Sequence, residues 1–151
     1  MRITIHIIKI SLLITTLTTL NACDKEEIDS RDQYVGTWNY EQSGNYTFFQ
    51  NGQGIGTIPT EENGVMVISK SGGNSLIIGE QKYIVNGSTL SSEPENITGT
   101  DNEVNFVGTT TNSGSLCINT ITINSSTSGT WTSTNNATGT LSGSTTTILS
   151  K

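Results

Sequence analysis

From residue 33 onward the chain alternates apolar and polar residues in short runs, with Gly and Asn punctuating them. That is the two-residue period of strands with one buried face. Tyr34, Gly36, Trp38 and Tyr40 share one side of the first run, with Val35, Thr37 and Asn39 opposite. Ser43-Gly44 is expected to turn the chain into Tyr46–Gln50, and Asn51-Gly52 to turn it again toward Ile55 and Ile58. Asn63-Gly64 leads into Val65–Ile68, Gly72-Gly73-Asn74 precedes Leu76–Ile78, and Tyr83–Val85 stops at Asn86-Gly87. Asn-Gly carries the most weight here, because both residues tolerate positive φ and suit type I′ hairpins. Further runs follow at Val104–Val107, Leu116–Ile123, Thr130–Thr132, Thr140-Leu141 and Thr145–Leu149. Ser91–Thr100, which contains Pro94, reads as a loop. The pattern predicts an all-β fold, an antiparallel meander of about eight to ten short strands in a small barrel or sandwich.

The beginning of the chain obeys a different pattern. Arg2 and Lys9 give a positive start, and Ile10–Leu20 is an apolar stretch diluted by Ser and Thr. It is too short for a transmembrane helix, which needs roughly 20 apolar residues, and has the parts of a secretory signal. Leu20-Asn21-Ala22-Cys23 resembles the lipobox of bacterial lipoproteins. The resemblance implies cleavage after Ala22, a thioether-linked diacylglycerol on Cys23, and often a further acyl chain on the new amino terminus. Two or three such chains hold a protein firmly to a bilayer, where one binds only marginally. Asp24 to Asp32 is almost all charged and reads as a solvated tether. Within it, Lys25, Glu26 and Glu27 resemble the export signal of surface lipoproteins in Bacteroidota. That implies a lipid-anchored protein on the outer face of the outer membrane, with the periplasmic face of a membrane as the alternative. The expected organisation is a signal peptide over 1–22, the lipidated cysteine and acidic tether over 23–32, and one β-domain over 33–151.

Charge and chemistry narrow the reading further. Loss of Arg2 and Lys9 leaves Lys25, Arg31, Lys70, Lys82 and Lys151 against 13 acidic residues, a mature net charge of −8. Such a surface repels phosphate backbones, so no nucleic-acid partner is expected. Cys117 is the one cysteine left after lipidation, and its alternating surroundings suggest a small buried core residue. The single histidine, His6, departs with the signal, which removes Ser-His-Asp catalysis, Cys-His catalysis and histidine-ligated zinc. Glu41, Glu61, Glu62, Glu80, Glu93, Glu95, Asp101 and Glu103 fall mostly at predicted turns and read as surface charge. Asp101-Asn102-Glu103 lacks the spacing of a calcium loop. No metal site, no cofactor other than the acyl chains on Cys23, and no enzymatic activity are expected.

Gly36-Thr37-Trp38 opens the domain and Gly129-Thr130-Trp131 recurs near its end. An early Gly-x-Trp on the first strand resembles the lipocalins and the lipocalin-like lipoproteins of Bacteroidota. The resemblance implies an antiparallel barrel with the tryptophan plugging one end. This chain departs from the lipocalins in lacking a C-terminal helix and a disulfide, and in repeating the motif late. Two functions follow. In the first, the domain is a non-enzymatic interaction or structural component of the cell surface, with a filled core and a protein or glycan partner on an edge or face. In the alternative, the barrel interior binds a small apolar ligand, with Trp38, Tyr40, Phe48, Phe106 and Trp131 as candidate lining. The small apolar inventory favours the first, with both tryptophans as core residues.

Overall fold

A computed structural model describes residues 29–101 and 103–151. The signal peptide, Cys23, Lys25, Glu26 and Glu27 lie outside the described residues. After one 3-10 turn at Asp32–Tyr34, the described residues form nine strands. They are β1 (Gly36–Gln50), β2 (Gln53–Ser71), β3 (Ser75–Ile78), β4 (Gln81–Asn86), β5 (Thr89–Ser91), β6 (Glu95–Asp101), β7 (Val104–Cys117), β8 (Thr120–Ser133) and β9 (Thr138–Ser150). All pair antiparallel, in the order β5-β4-β3-β2-β1-β9-β8-β7-β6, and β5 also pairs with β7. The all-β meander predicted from the alternation is what forms.

That last pairing rolls the sheet into a barrel. Thr89–Ser91 joins Ser113–Ser115 at one end of β7, while β6 occupies the same side of β7 at the other end. The barrel is therefore closed by hydrogen bonds at the β5 end and split toward the other, between β6 and the first half of β2. Pro59 lies on this free edge of β2. The Val67 carbonyl accepts a hydrogen bond from Gly79 N–H at 3.0 Å, so odd-numbered residues of β2 aim their backbone groups outward from β1. Pro59 shares that parity, and its missing N–H blunts the edge against a further strand.

The strands are longer than the turn signals suggest. Ser43-Gly44 and Asn63-Gly64 do not turn the chain; β1 and β2 run through them in register, from Gly36↔Ile68 to Gln50↔Gln53 with one bulge at Phe48/Phe49. Gly44 serves a close approach of strands instead. A Cβ there would lie 2.1 Å from the Ser144 carbonyl oxygen. Ser91–Thr100 is also not a loop, since Glu95–Asp101 forms β6 once β7 is present to pair with it. Cys117 is exposed rather than buried. Its neighbour Leu116 takes the inward position, and the turn before Thr120 resets the parity so that Ile121 and Ile123 face in.

The apolar core fills the closed end. Trp38, Ile68, Leu76, Ile121 and Leu149 are fully buried there, joined by Ile78, Tyr83, Val85, Leu90, Leu116 and Ile123. Each large aliphatic side chain removed from water contributes about 1.5–3 kcal/mol. Trp38 donates its indole N–H to the Tyr34 carbonyl at 2.9 Å, so the 3-10 turn folds beneath the barrel. Lys151 reaches back to the same place. Its ammonium lies 5.2 Å from the Trp38 ring centroid and donates to the carbonyls of Gln33 and Val35.

Above the core lies a polar layer. Thr127, Thr145 and Thr147 are buried, with Thr127 hydrogen-bonded to Thr110 at 2.8 Å and Thr147 donating to Gln42 at 3.0 Å. Among the described residues no enclosed side-chain polar atom lacks a partner, as the cost of burying an unpaired hydroxyl requires.

Candidate functional site

Beyond the polar layer the barrel interior changes character. Tyr46 and Phe48 of β1, Ile97 and Gly99 of β6, Val104 and Phe106 of β7, Trp131 of β8 and Leu141 of β9 all point inward, but they do not fill the space. A cavity of about 280 Å³ is lined by Phe48, Ile55, Ile58, Val104, Phe106 and Trp131. A second, of about 340 Å³, shares Phe48, Ile58 and Phe106 with it and adds Tyr46, Ile97 and Leu141. Together they form one apolar cleft opening through the split between β2 and β6.

The hollow has a structural cause. The inward aromatic rings lean onto glycines of neighbouring strands instead of projecting to the axis. Phe106 is paired with Gly99, Tyr46 with Gly143, Trp131 with Gly139 and Tyr40 with Gly64. A Cβ would approach the facing ring to 2.2 Å at Gly99, 2.2 Å at Gly143, 2.6 Å at Gly139 and 3.0 Å at Gly64. Cross-strand aromatic–glycine pairing of this kind covers the bare glycine backbone. It also lays the rings along the wall and leaves the lumen open.

Trp131 is fixed by more than packing. Its indole N–H donates to the Phe49 carbonyl at 3.2 Å, passing over Gly139 of the intervening strand. Phe48 meets it edge to face, with centroids 6.4 Å apart and planes at 69°. By contrast Ile55 is 55% and Ile58 42% exposed, although both belong to the cleft wall. These are the apolar surfaces that water touches.

The five candidate lining residues thus divide. Phe48, Phe106 and Trp131 come together at the open end. Trp38 sits at the opposite, filled end, and Tyr40 lies between, its hydroxyl donating to Glu62 at 2.8 Å. That hydrogen bond, followed by burial, raises the Tyr40 phenol above its ordinary value. Tyr46, Ile55, Ile58, Ile97 and Leu141 were not singled out from the sequence. The Asn51-Gly52 hairpin held the signal for one of them, since its register sets Tyr46 directly opposite Ile58.

A third cavity, about 450 Å³, adjoins the cleft at Ile97 and penetrates the polar layer. Gln42, Tyr83, Glu95, Asn112, Ser125 and Thr147 contribute its polar wall. Burial, then the Glu95 carboxylate, pushes the Tyr83 phenol up to about 12, so it remains a hydrogen-bond donor at neutral pH.

The segment leading into the domain is docked as well. Arg31 forms a bidentate contact with Asp29, at 2.9 and 2.6 Å, and donates to the carbonyls of Ser71, Gly73 and Ser75. Lys70 bridges Asp29 and Asp32. The charged residues Asp29, Arg31 and Asp32, expected in the solvated tether, are therefore held against the β2–β3 turn at the closed end. The Arg31 hydrogen bonds hold the Asp29 carboxyl well below the usual carboxylate range.

Among the described residues no cluster of His, Cys, Asp and Glu could hold a metal ion. No helix among them is long and apolar enough to cross a membrane. No family model, curated protein or solved structure matches this chain.

Proposed function

We propose that this chain is a lipid-anchored lipoprotein of the bacterial outer membrane whose barrel binds a small apolar molecule at its open end. The observation that carries this reading is the convergence of Phe48, Phe106 and Trp131 with the half-exposed Ile55 and Ile58 around a hollow cleft. Covering apolar wall is favourable by about 25 cal/mol per Å². A concave, aromatic-lined site with few polar groups is the usual form of a small-molecule pocket.

This places ligand binding ahead of the surface-interaction reading. An edge-bound partner is the weaker option because Pro59 interrupts the free edge of β2. What favours an interaction on the outer face is the adjacent pair Val65 and Val67, 63% and 60% exposed. Two residues are a small patch, and scattered exposed apolar residues are ordinary.

The anchor, the Lys25-Glu26-Glu27 export signal and the surface location belong to the same proposal. They rest on the resemblance of Leu20–Cys23 to a lipobox and on the acidic run that follows it. Cys23→Ala should release the protein from membranes; continued membrane association would refute the anchor. The ligand reading is tested by native mass spectrometry of the protein purified gently from its host. Added mass that extracts into organic solvent is expected. An unliganded mass, together with failure to bind any alkyl probe, would return the interaction reading to first place.

A further inference from the structure

The cleft does not end at its apolar wall. Ile97 lines both the apolar cavity and the third cavity, which enters the polar layer from the side. Along β1 the distance from Phe48 in the first to Gln42 in the second is roughly 20 Å, at ~3.3 Å per residue. An apolar cavity and a hydrogen-bonding one thus adjoin at Ile97.

The polar end has unused capacity. Tyr83 is 5% exposed as a residue, but its hydroxyl makes no hydrogen bond among the described residues and is not enclosed by them, so it opens onto the cavity that the residue borders. Gln42 accepts from Thr147 through its carbonyl oxygen, leaving both amide protons free of that contact. Asn112 donates to Ser92 at 3.2 Å, leaving its carbonyl oxygen as an acceptor. Among the described residues, Glu95 and Glu80 supply the only charges in the wall, and no Lys or Arg lines it. A hydroxyl open to the cavity can both donate to and accept from a polar group that occupies it. The two carboxylates repel an anion there.

We infer that the ligand is a single-chain amphiphile, its alkyl tail lying against Phe48, Phe106 and Trp131 and a hydrogen-bonding, non-anionic headgroup seated between Tyr83, Gln42 and Glu95. This rests on the binding reading above and specifies the chemistry of its occupant. The tail supplies the apolar burial. The head pairs Tyr83 and Gln42, and a cationic head gains the Glu95 carboxylate as well.

The test uses the full chain carrying Cys23→Ser, so that no acyl chain of its own competes. Three probes with one tail are titrated at physiological ionic strength, below their micelle concentrations: decyl glucoside, decylamine and decyl sulfate. Binding is read from Trp131 emission, with Trp131→Phe as the control. Decyl glucoside and decylamine should bind saturably and about tenfold more tightly than decyl sulfate, the effect of one charge-assisted hydrogen bond gained or lost. Glu95→Gln should remove most of decylamine's advantage over decyl sulfate and leave decyl glucoside unchanged. Tyr83→Phe, which deletes only an unpartnered hydroxyl, should weaken decyl glucoside severalfold, and it keeps the test decisive should Glu95→Gln misfold. Equal affinity for all three probes would overturn the headgroup inference while leaving the apolar cleft in place. A preference against decyl sulfate that neither variant alters would also overturn it, as an effect of overall net charge. Absence of saturable binding by any probe would overturn the inference and the cleft reading together.

Discussion

Phe106 lies directly over Gly99 of the neighbouring strand, so closely that a Cβ at Gly99 would sit 2.2 Å from the ring's Cζ. The same arrangement recurs where Tyr46 covers Gly143 and Trp131 covers Gly139. Glycine on one strand and an aromatic ring on the next decide together whether the lumen is hollow. At the closed end, where Trp38, Ile68, Leu76, Ile121 and Leu149 pack inward, it is filled.

Gly99→Ala is therefore expected to push the Phe106 ring off the wall and into the cleft. Overpacking of this kind costs about 1–3 kcal/mol. The variant should remain folded, lose that much in a denaturant titration, and lose binding of a decyl-chain probe. Wild-type binding in Gly99→Ala would mean that the rings do not set the cavity.

Trp38→Ala should act in the opposite sense. It empties the plug of the closed end, removes the hydrogen bond to Tyr34 and leaves Lys151 without its aromatic partner. The expected loss is about 3–5 kcal/mol. Phe106→Ala, at a half-buried position, should cost about 1–2 kcal/mol and chiefly reduce ligand affinity. Equilibrium unfolding of the two variants checks the contrast. Equal destabilisation would deny that stability and binding reside at different ends.

Much of this barrel was legible in the alternation of residues. The inward parity of Trp38 and Tyr40, of Tyr46 and Phe48, and of Ile121 and Ile123 needs only a two-residue period. Asn51-Gly52 turns the chain as its residue types demand, with φ of 52° and 79°. What failed was the meaning of glycine. At Ser43-Gly44 and Asn63-Gly64 the local signal for a turn is the same as at Asn51-Gly52. The difference lies in residues far along the chain, Thr145 against Gly44 and the Tyr40 ring against Gly64. Position along the barrel axis was equally hidden. Period fixes which side chains face inward, but only the register separates Trp38 from Trp131 and puts them at opposite ends. Closure through Thr89–Ser91 and Ser113–Ser115 is a short non-local pairing with no sequence signature.

The contact between Asp29 and Arg31 predicts an acid-sensitive clasp. Because Asp29 ionises more readily in the folded protein than in the unfolded chain, its contribution is fully present above the unfolded value of about 4 and is lost as pH falls toward the depressed folded value. Amide exchange at Arg31 and Asp32 should be slow between pH 5 and 7 relative to the unfolded chain, and its protection should decline below about pH 4. Asp29→Asn should abolish that pH dependence. A clasp equally protected at low pH in both proteins would show that Arg31 is held by the Ser71, Gly73 and Ser75 carbonyls alone.

The same clasp gives the domain an orientation. With lipid on Cys23, the residues between the anchor and Asp29 span at most about 20 Å. The described chain begins at Asp29, beside the β2–β3 turn that Arg31 grips at the closed end. From there β1 climbs away toward Asn51-Gly52, roughly 35 Å along the axis for a strand tilted as barrel strands are. The cleft should therefore face away from the bilayer and receive its ligand from the aqueous side. Cys117 provides a natural marker, since it is exposed and lies at the closed end, paired with Thr120. A fluorophore on Cys117 should be quenched by nitroxide-headgroup lipids more strongly than one on Gln53→Cys in a Cys117→Ser background. Equal or stronger quenching at Gln53→Cys would place the cleft against the membrane, and the ligand would then enter from the lipid.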